Sequence, residues 1–92
     1  MSRILLIDDI RTFTVDKIAR TYDEGIAAQE EKWDRLLLDH DLGDFLDGRE
    51  RTGYDIMCWL EEHPEHLPKE IIPVTDNPVG RKKILQVIRK LY

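Results

Sequence analysis

Cysteine is almost missing: Cys58 stands alone in 92 residues, so no internal disulfide can form. It lies in an amphipathic segment and is expected to be a small core hydrophobe. No apolar run approaches the ~20 residues of a membrane span. Positive charge is in deficit, with 14 Lys and Arg against 19 Asp and Glu and a net charge of −5. That balance argues against a general affinity for nucleic acid backbone and against binding along extended duplex DNA, though not against a local basic patch. Aromatic residues make up only 8%. No basic, aromatic-interleaved surface accompanies Trp33 and Trp59, which are expected in core or rim packing. Repeats, low-complexity stretches and Gly/Ser/Pro-rich linkers are absent, which predicts one domain over residues 1–92. The opening Met-Ser-Arg runs directly into strand-like residues, so no signal peptide is predicted and a cytoplasmic location is expected.

What is present is an ordered series of apolar runs that each end in polar groups. Leu36-Leu37-Leu38 has no period of two and reads as a strand buried on both faces. Asp39-His40-Asp41 follows at once, and Gly43 lets the chain turn away. Arg3 to Ile7 repeats the design and ends in Asp8-Asp9; it is placed beside the Leu36–Leu38 strand. A short strand is expected at about Lys17–Arg20. The link from Asp9 is too short for a crossover helix but long enough to return as extended chain. Thr21 with Glu24 forms a capping-box pattern, predicting a helix over Tyr22–Lys32 with Ile26 and Ala27 inward. Asp44 to Thr52 reads as a long, mobile loop. Thr52 with Asp55 starts a second helix at about Tyr54–Glu62, which Pro64 and Pro68 end. Ile71 to Val74 is a strand that Pro73 places at an edge or bends at a bulge, ending in Thr75-Asp76-Asn77. Asn77-Pro78 opens the last helix, with Ile84, Ile88 and Leu91 on its buried face. The whole is an α/β domain: a small, mainly parallel four-stranded sheet flanked by three helices.

In such sheets, ligands bind outside the carboxyl ends of the strands, and three polar strand ends meet there. Clustered carboxylates need a countercharge, and a hard cation suits oxygen donors. Asp8 or Asp9, with Asp39, is therefore predicted to hold Mg²⁺ or Mn²⁺; the alternative is a set of solvated loop acids and helix caps. If the strand stays regular, Asp39 and Asp41 project to one side and His40 to the other. Asp39 or Asp41 is a candidate ligand or nucleophile. Imidazole takes and gives protons near neutral pH, which makes His40 the candidate acid or base. Thr75 and Asn77 are candidate donors to phosphate oxygens. Lys82, with Arg81 and Lys83, lies in the first turns of the last helix and is the candidate cation. A solvated helix face is the alternative for these three. His63 and His66 flank Pro64-Glu65 and are expected to be surface histidines, because the proline breaks the helix that would align them.

With these residues in hand, the chain resembles the receiver superfamily of two-component signalling. The match lies in Asp8-Asp9, Leu36-Leu37-Leu38-Asp39 and Thr75. More closely it resembles the cyclic-phosphate processing receiver-like family, through Leu38-Asp39-His40-Asp41-Leu42-Gly43, Thr52-Gly53-Tyr54-Asp55 and Asn77-Pro78-Val79-Gly80. The resemblance covers nearly the whole chain. It implies a truncated receiver, or flavodoxin-like, architecture and a metal-dependent phosphoesterase-type activity on a phosphate ester. The implied substrate is a cyclic phosphate end of RNA or of a nucleotide. The chain departs from receivers in lacking a lysine after a strand end, which disfavours a stable aspartyl phosphate at Asp39. It departs from the closer family at Val74-Thr75-Asp76, where a hydroxyl survives but a second histidine does not. Three functions remain open: this enzyme, a signalling module phosphorylated on Asp39, and a phosphate- or nucleotide-binding module without turnover.

Overall fold

A computed structural model describes residues 2–92. Strands β1 (Ile4–Ile7), β2 (Lys17–Ala19), β3 (Arg35–Leu38) and β6 (Glu70–Pro73) form one sheet in the order β2-β1-β3-β6. Every neighbouring pair is parallel. Counting only this sheet, the order is the 2-1-3-4 of a flavodoxin-like fold without its fifth strand. Its register aligns Leu5 with Leu36 and Leu36 with Ile71, and Ile7 with Leu38 and Leu38 with Pro73. The ends of β1, β3 and β6 are thus level, which brings the three polar strand ends to one rim. Pro73 sits on the edge strand, as its missing N–H requires.

The chain returns from β1 to β2 as extended backbone. Residues 8–16 can span roughly 30 Å at about 3.3 Å each, ample to travel back past a four-residue strand. Both ends of this strap are pinned: Asp8 N–H donates to Ala19 O, and Asp16 N–H donates to Ile4 O.

Helices α1 (Tyr22–Ala28), α2 (Gly53–Glu62) and α3 (Pro78–Leu91) follow β2, the stretch 39–52 after β3, and β6. Leu5, Ile7, Leu36, Leu38 and Ile71 join Ile56, Met57 and Leu60 of α2 and Ile84 and Val87 of α3 in the main core. At about 25 cal/mol per Å² of apolar surface, these side chains dominate the stability of so short a chain.

Several expectations are corrected. Helix α1 stops at Ala28, not Lys32: the next N–H groups, of Gln29, Glu30 and Glu31, bond three residues back instead of four, and the Ala28 carbonyl accepts the Glu31 N–H and, at 2.8 Å, the Trp33 indole N–H. Ile26 packs partly buried against the core, as expected, but Ala27 faces solvent, and the fully buried residues are Gly25 and Ala28. Asp44 to Thr52 is not an irregular mobile loop. It contains an antiparallel hairpin, β4 (Asp44–Leu46) and β5 (Arg49–Arg51), joined by Asp47-Gly48, both at positive φ. That is the backbone of a two-residue hairpin turn. Arg51 clips the hairpin to α1 through Asp23 and Asp44, and Asp44 accepts the Tyr22 N–H. Cys58 is half-buried outside the main core. His63 and His66 are packed, not free on the surface: His63 stacks on Trp59 at 4.1 Å, and His66 pairs with the Gln29 carbonyl.

Candidate acidic rim site

Asp8 leaves β1 fully buried. One carboxylate oxygen accepts the backbone N–H groups of Ile10 (3.0 Å) and Arg11 (2.9 Å), and the other accepts the Arg11 guanidinium at 3.0 Å. Burial works to raise this carboxyl, but those backbone donors and the guanidinium outweigh it, and its pKa lies below the ordinary value. Asp39 follows β3 and is 4% exposed. Its pKa is pushed up, first by burial and then by the negative charge of Asp8. The Thr75 hydroxyl, Arg11 and the His40 N–H oppose the shift without cancelling it. Asp9 lies at the same place: oxygens of Asp8, Asp9 and Asp39 all fall within 4.8 Å of one another. Three hard oxygen donors at that separation, two of them buried, fit a small divalent cation.

Beside them is a second group. The backbone beyond Leu38 is no longer strand, so alternation does not separate His40 from Asp41 as expected. His40 Nδ1 meets Asp41 Oδ1 at 2.9 Å. The Asn77 side-chain amide donates to both Asp41 oxygens at 3.3 Å. Asn77 Oδ1 meanwhile caps α3 by accepting from Val79 and Gly80. His40 therefore rests on the first turn of α3, where the absence of a side chain at Gly80 makes room for its ring. On the other side, a Cβ at Gly53 would collide with the Asp39 carbonyl, and the Gly53 N–H donates to His40 O at 2.8 Å. The capping box of Thr52 and Asp55 fixes that helix start.

Asp9, Asp39, Asp41, Thr75 and Asn77 line one cavity of about 210 Å³, together with Ile10, Arg11 and Asp76. Thr75 and Asn77 reach the rim, but both are engaged internally: the Thr75 hydroxyl accepts the Asn77 N–H at 3.1 Å, and the Asn77 amide donates to Asp41. Lys82 is not brought there. It lines a separate groove on α3 with Leu85, Gln86 and Arg89. Arg81, its neighbour, donates to the Thr75 carbonyl at 3.3 Å, and the cation on the carboxylates themselves is Arg11, which also reaches Asp39 at 3.5 Å and Asp76 at 2.6 Å. Sequence reasoning passed over it. Its signal was an arginine three residues beyond Asp8, close enough to fold back once Asp8 accepts its backbone N–H.

A family model, the cyclic-phosphate processing receiver domain, matches residues 3–90 of the chain. No curated protein and no solved structure matches. With nearly every residue inside the match, the chain belongs to this family.

Proposed function

We propose that this member of the cyclic-phosphate processing receiver family is a metal-dependent phosphoesterase-type domain that opens cyclic phosphate esters, at RNA ends or on nucleotides. One observation carries the reading: three carboxylates with oxygens within 4.8 Å of one another stand on the same rim as an oriented histidine. Asp8, Asp9 and Asp39 would hold Mg²⁺ or Mn²⁺. Such an ion, when bound, neutralises phosphate oxygens and lowers the pKa of water.

The chain's own groups supply the remainder. Hydrolysis adds water across one P–O ester bond, so a proton leaves the water and a proton reaches the departing oxygen. Asp41 accepts from Nδ1 of His40, which leaves Nε2 as the nitrogen that exchanges the proton. Asn77 holds Asp41 in place, and α3 holds Asn77. Entering with Nε2 protonated, His40 delivers that proton to the leaving oxygen, and the proton given up by the water restores it, so His40 ends the cycle unchanged.

The test is turnover of 2′,3′-cyclic nucleotides and phosphorylated RNA ends with Mg²⁺ and with chelator. Metal-dependent ring opening is expected, lost in Asp39→Asn and lowered about 10²–10⁴-fold in His40→Ala with metal affinity kept. Binding of these compounds without turnover would replace the enzyme by a binding module.

A second reading draws on Arg11, whose guanidinium stands 3.5 Å from Asp39 and offers a cation where no lysine exists. In that reading Asp39 accepts a phosphoryl group. Intact mass after incubation with acetyl phosphate decides it. The enzyme reading expects no lasting addition, and a stable phosphoryl group lost in Asp39→Asn would replace that reading with signalling.

A further inference from the structure

The Arg11 guanidinium lies on the carboxylates assigned above to a cation. One nitrogen is 3.0 Å from Asp8 Oδ2 and 3.5 Å from Asp39 Oδ1, and the other is 2.6 Å from Asp76 Oδ2. The backbone of Arg11 is fixed independently of this side chain. Its N–H is held by Asp8 Oδ1, its carbonyl accepts Arg20 Nη1 at 2.6 Å, and Arg20 also binds Asp8 O and the Thr12 hydroxyl. The side chain is a quarter exposed and lines the cavity. The backbone is anchored by hydrogen bonds that do not involve the guanidinium, and the charged end is held, among the described residues, by the three carboxylates alone.

A carboxylate oxygen that gives its charge to a guanidinium has less to give to a metal ion, and the two cations repel at this range. We propose that Arg11 is a built-in competitor for the divalent cation. It neutralises Asp8 and Asp39 in the metal-free protein, yields those oxygens when the ion binds, and then faces the anionic oxygens of a phosphate ligand. Asp76 is the pivot, since its carboxylate is almost fully exposed and holds the far side of the fork outside the metal-ligand set. A planar fork suits phosphate oxygens for the same reason it suits carboxylates. The device lessens, without abolishing, the repulsion between the two buried acids when no metal is bound. It rests on the metal-site reading of the preceding subsection.

Calorimetry tests it with Mg²⁺ alone, then with inorganic phosphate at saturating Mg²⁺, on wild type, Arg11→Met and Asp39→Asn. Arg11→Met should bind Mg²⁺ about tenfold more tightly, the scale of one charge-assisted hydrogen bond no longer competing, and bind phosphate about tenfold more weakly. A merely structural arginine would weaken both. Equal or weaker Mg²⁺ binding in Arg11→Met, with binding still lost in Asp39→Asn, would overturn the competitor and leave the metal site standing. No Mg²⁺ binding in any variant would overturn both. Should Arg11→Met fail to fold, the Arg11 Nε–H resonance of the wild type serves instead. It should shift on adding Mg²⁺ and again on adding phosphate, and Mg²⁺ binding that leaves it unmoved would refute the proposal.

Discussion

Gly80→Ala puts the packing behind His40 to a test in which two effects of opposite sign compete. In a helix, alanine in place of glycine is ordinarily worth up to about 1 kcal/mol of added stability. Here the new methyl would sit 2.7 Å from both Cβ and Cδ2 of His40, with Cγ nearer still. The ring cannot simply swing away, because Asp41 holds Nδ1 at 2.9 Å and the side chain is only 13% exposed. Overpacking of this kind costs about 1–3 kcal/mol, so the steric cost should win and the variant should be less stable than wild type by about 1 kcal/mol. His40→Ala removes two of the three close atoms and leaves Cβ. In that background the same glycine change should cost clearly less, giving a coupling of about 1–2 kcal/mol. Urea midpoints at constant slope measure all four corners of the cycle. The single variant should also lose turnover, since the imidazole is pushed off its partner. Stabilisation by Gly80→Ala in the wild type, or additivity of the two changes within about 0.5 kcal/mol, would refute the placement of His40 on α3.

Asp39→Asn should stabilise the metal-free protein at pH 7. A carboxyl whose pKa is raised by folding gives its full stability below the unfolded value and loses it as pH rises through the folded value, so the gain should fade on acidification. Asp8→Asn should do the reverse. Its pKa is lowered by folding, so its contribution is present above the unfolded value and lost as pH falls through the folded one. Melting curves from pH 3 to 7 read both, at about 4–8 °C per kcal/mol for a domain of this size, and shifts of the same sign at neutral pH would contradict the electrostatic account. Thr52→Ala removes the cap of α2 and should cost about 1 kcal/mol by chemical denaturation, while an unchanged midpoint would mean the capping box is energetically idle.

The strand ends were legible because each apolar run stops abruptly at a polar residue, and a parallel register then levels them. The caps at Thr21, Thr52 and Asn77 were legible because capping is local chemistry. Asp47-Gly48 carried a hairpin signal of the same local kind, but the charged residues around it show no alternation of apolar and polar, so it read as loop. The early stop of α1 was not legible, since its last turn tightens to bonds three residues back and its final carbonyl is shared with an indole N–H from Trp33. Within the site, Asp8, Asp9 and Asp39 follow from strand ends alone. The His40–Asp41 contact did not, because it requires the strand to stop at Leu38. Lys82 lies close in sequence to a helix start suited to an anion, but helix geometry turns it onto another surface. Arg11 reaches the rim only through a turn that its own target, Asp8, builds.

Paramagnetic broadening by Mn²⁺ in the amide spectrum of the ¹⁵N-labelled protein addresses the metal directly. At substoichiometric Mn²⁺, the signals of Asp8, Asp9, Asp39 and His40 should vanish first, while those of the hairpin acids Asp44 and Asp47 persist. Asp39→Asn should abolish the selectivity. Broadening that begins elsewhere, or spreads evenly over the acidic surface, would contradict a cation site on this rim.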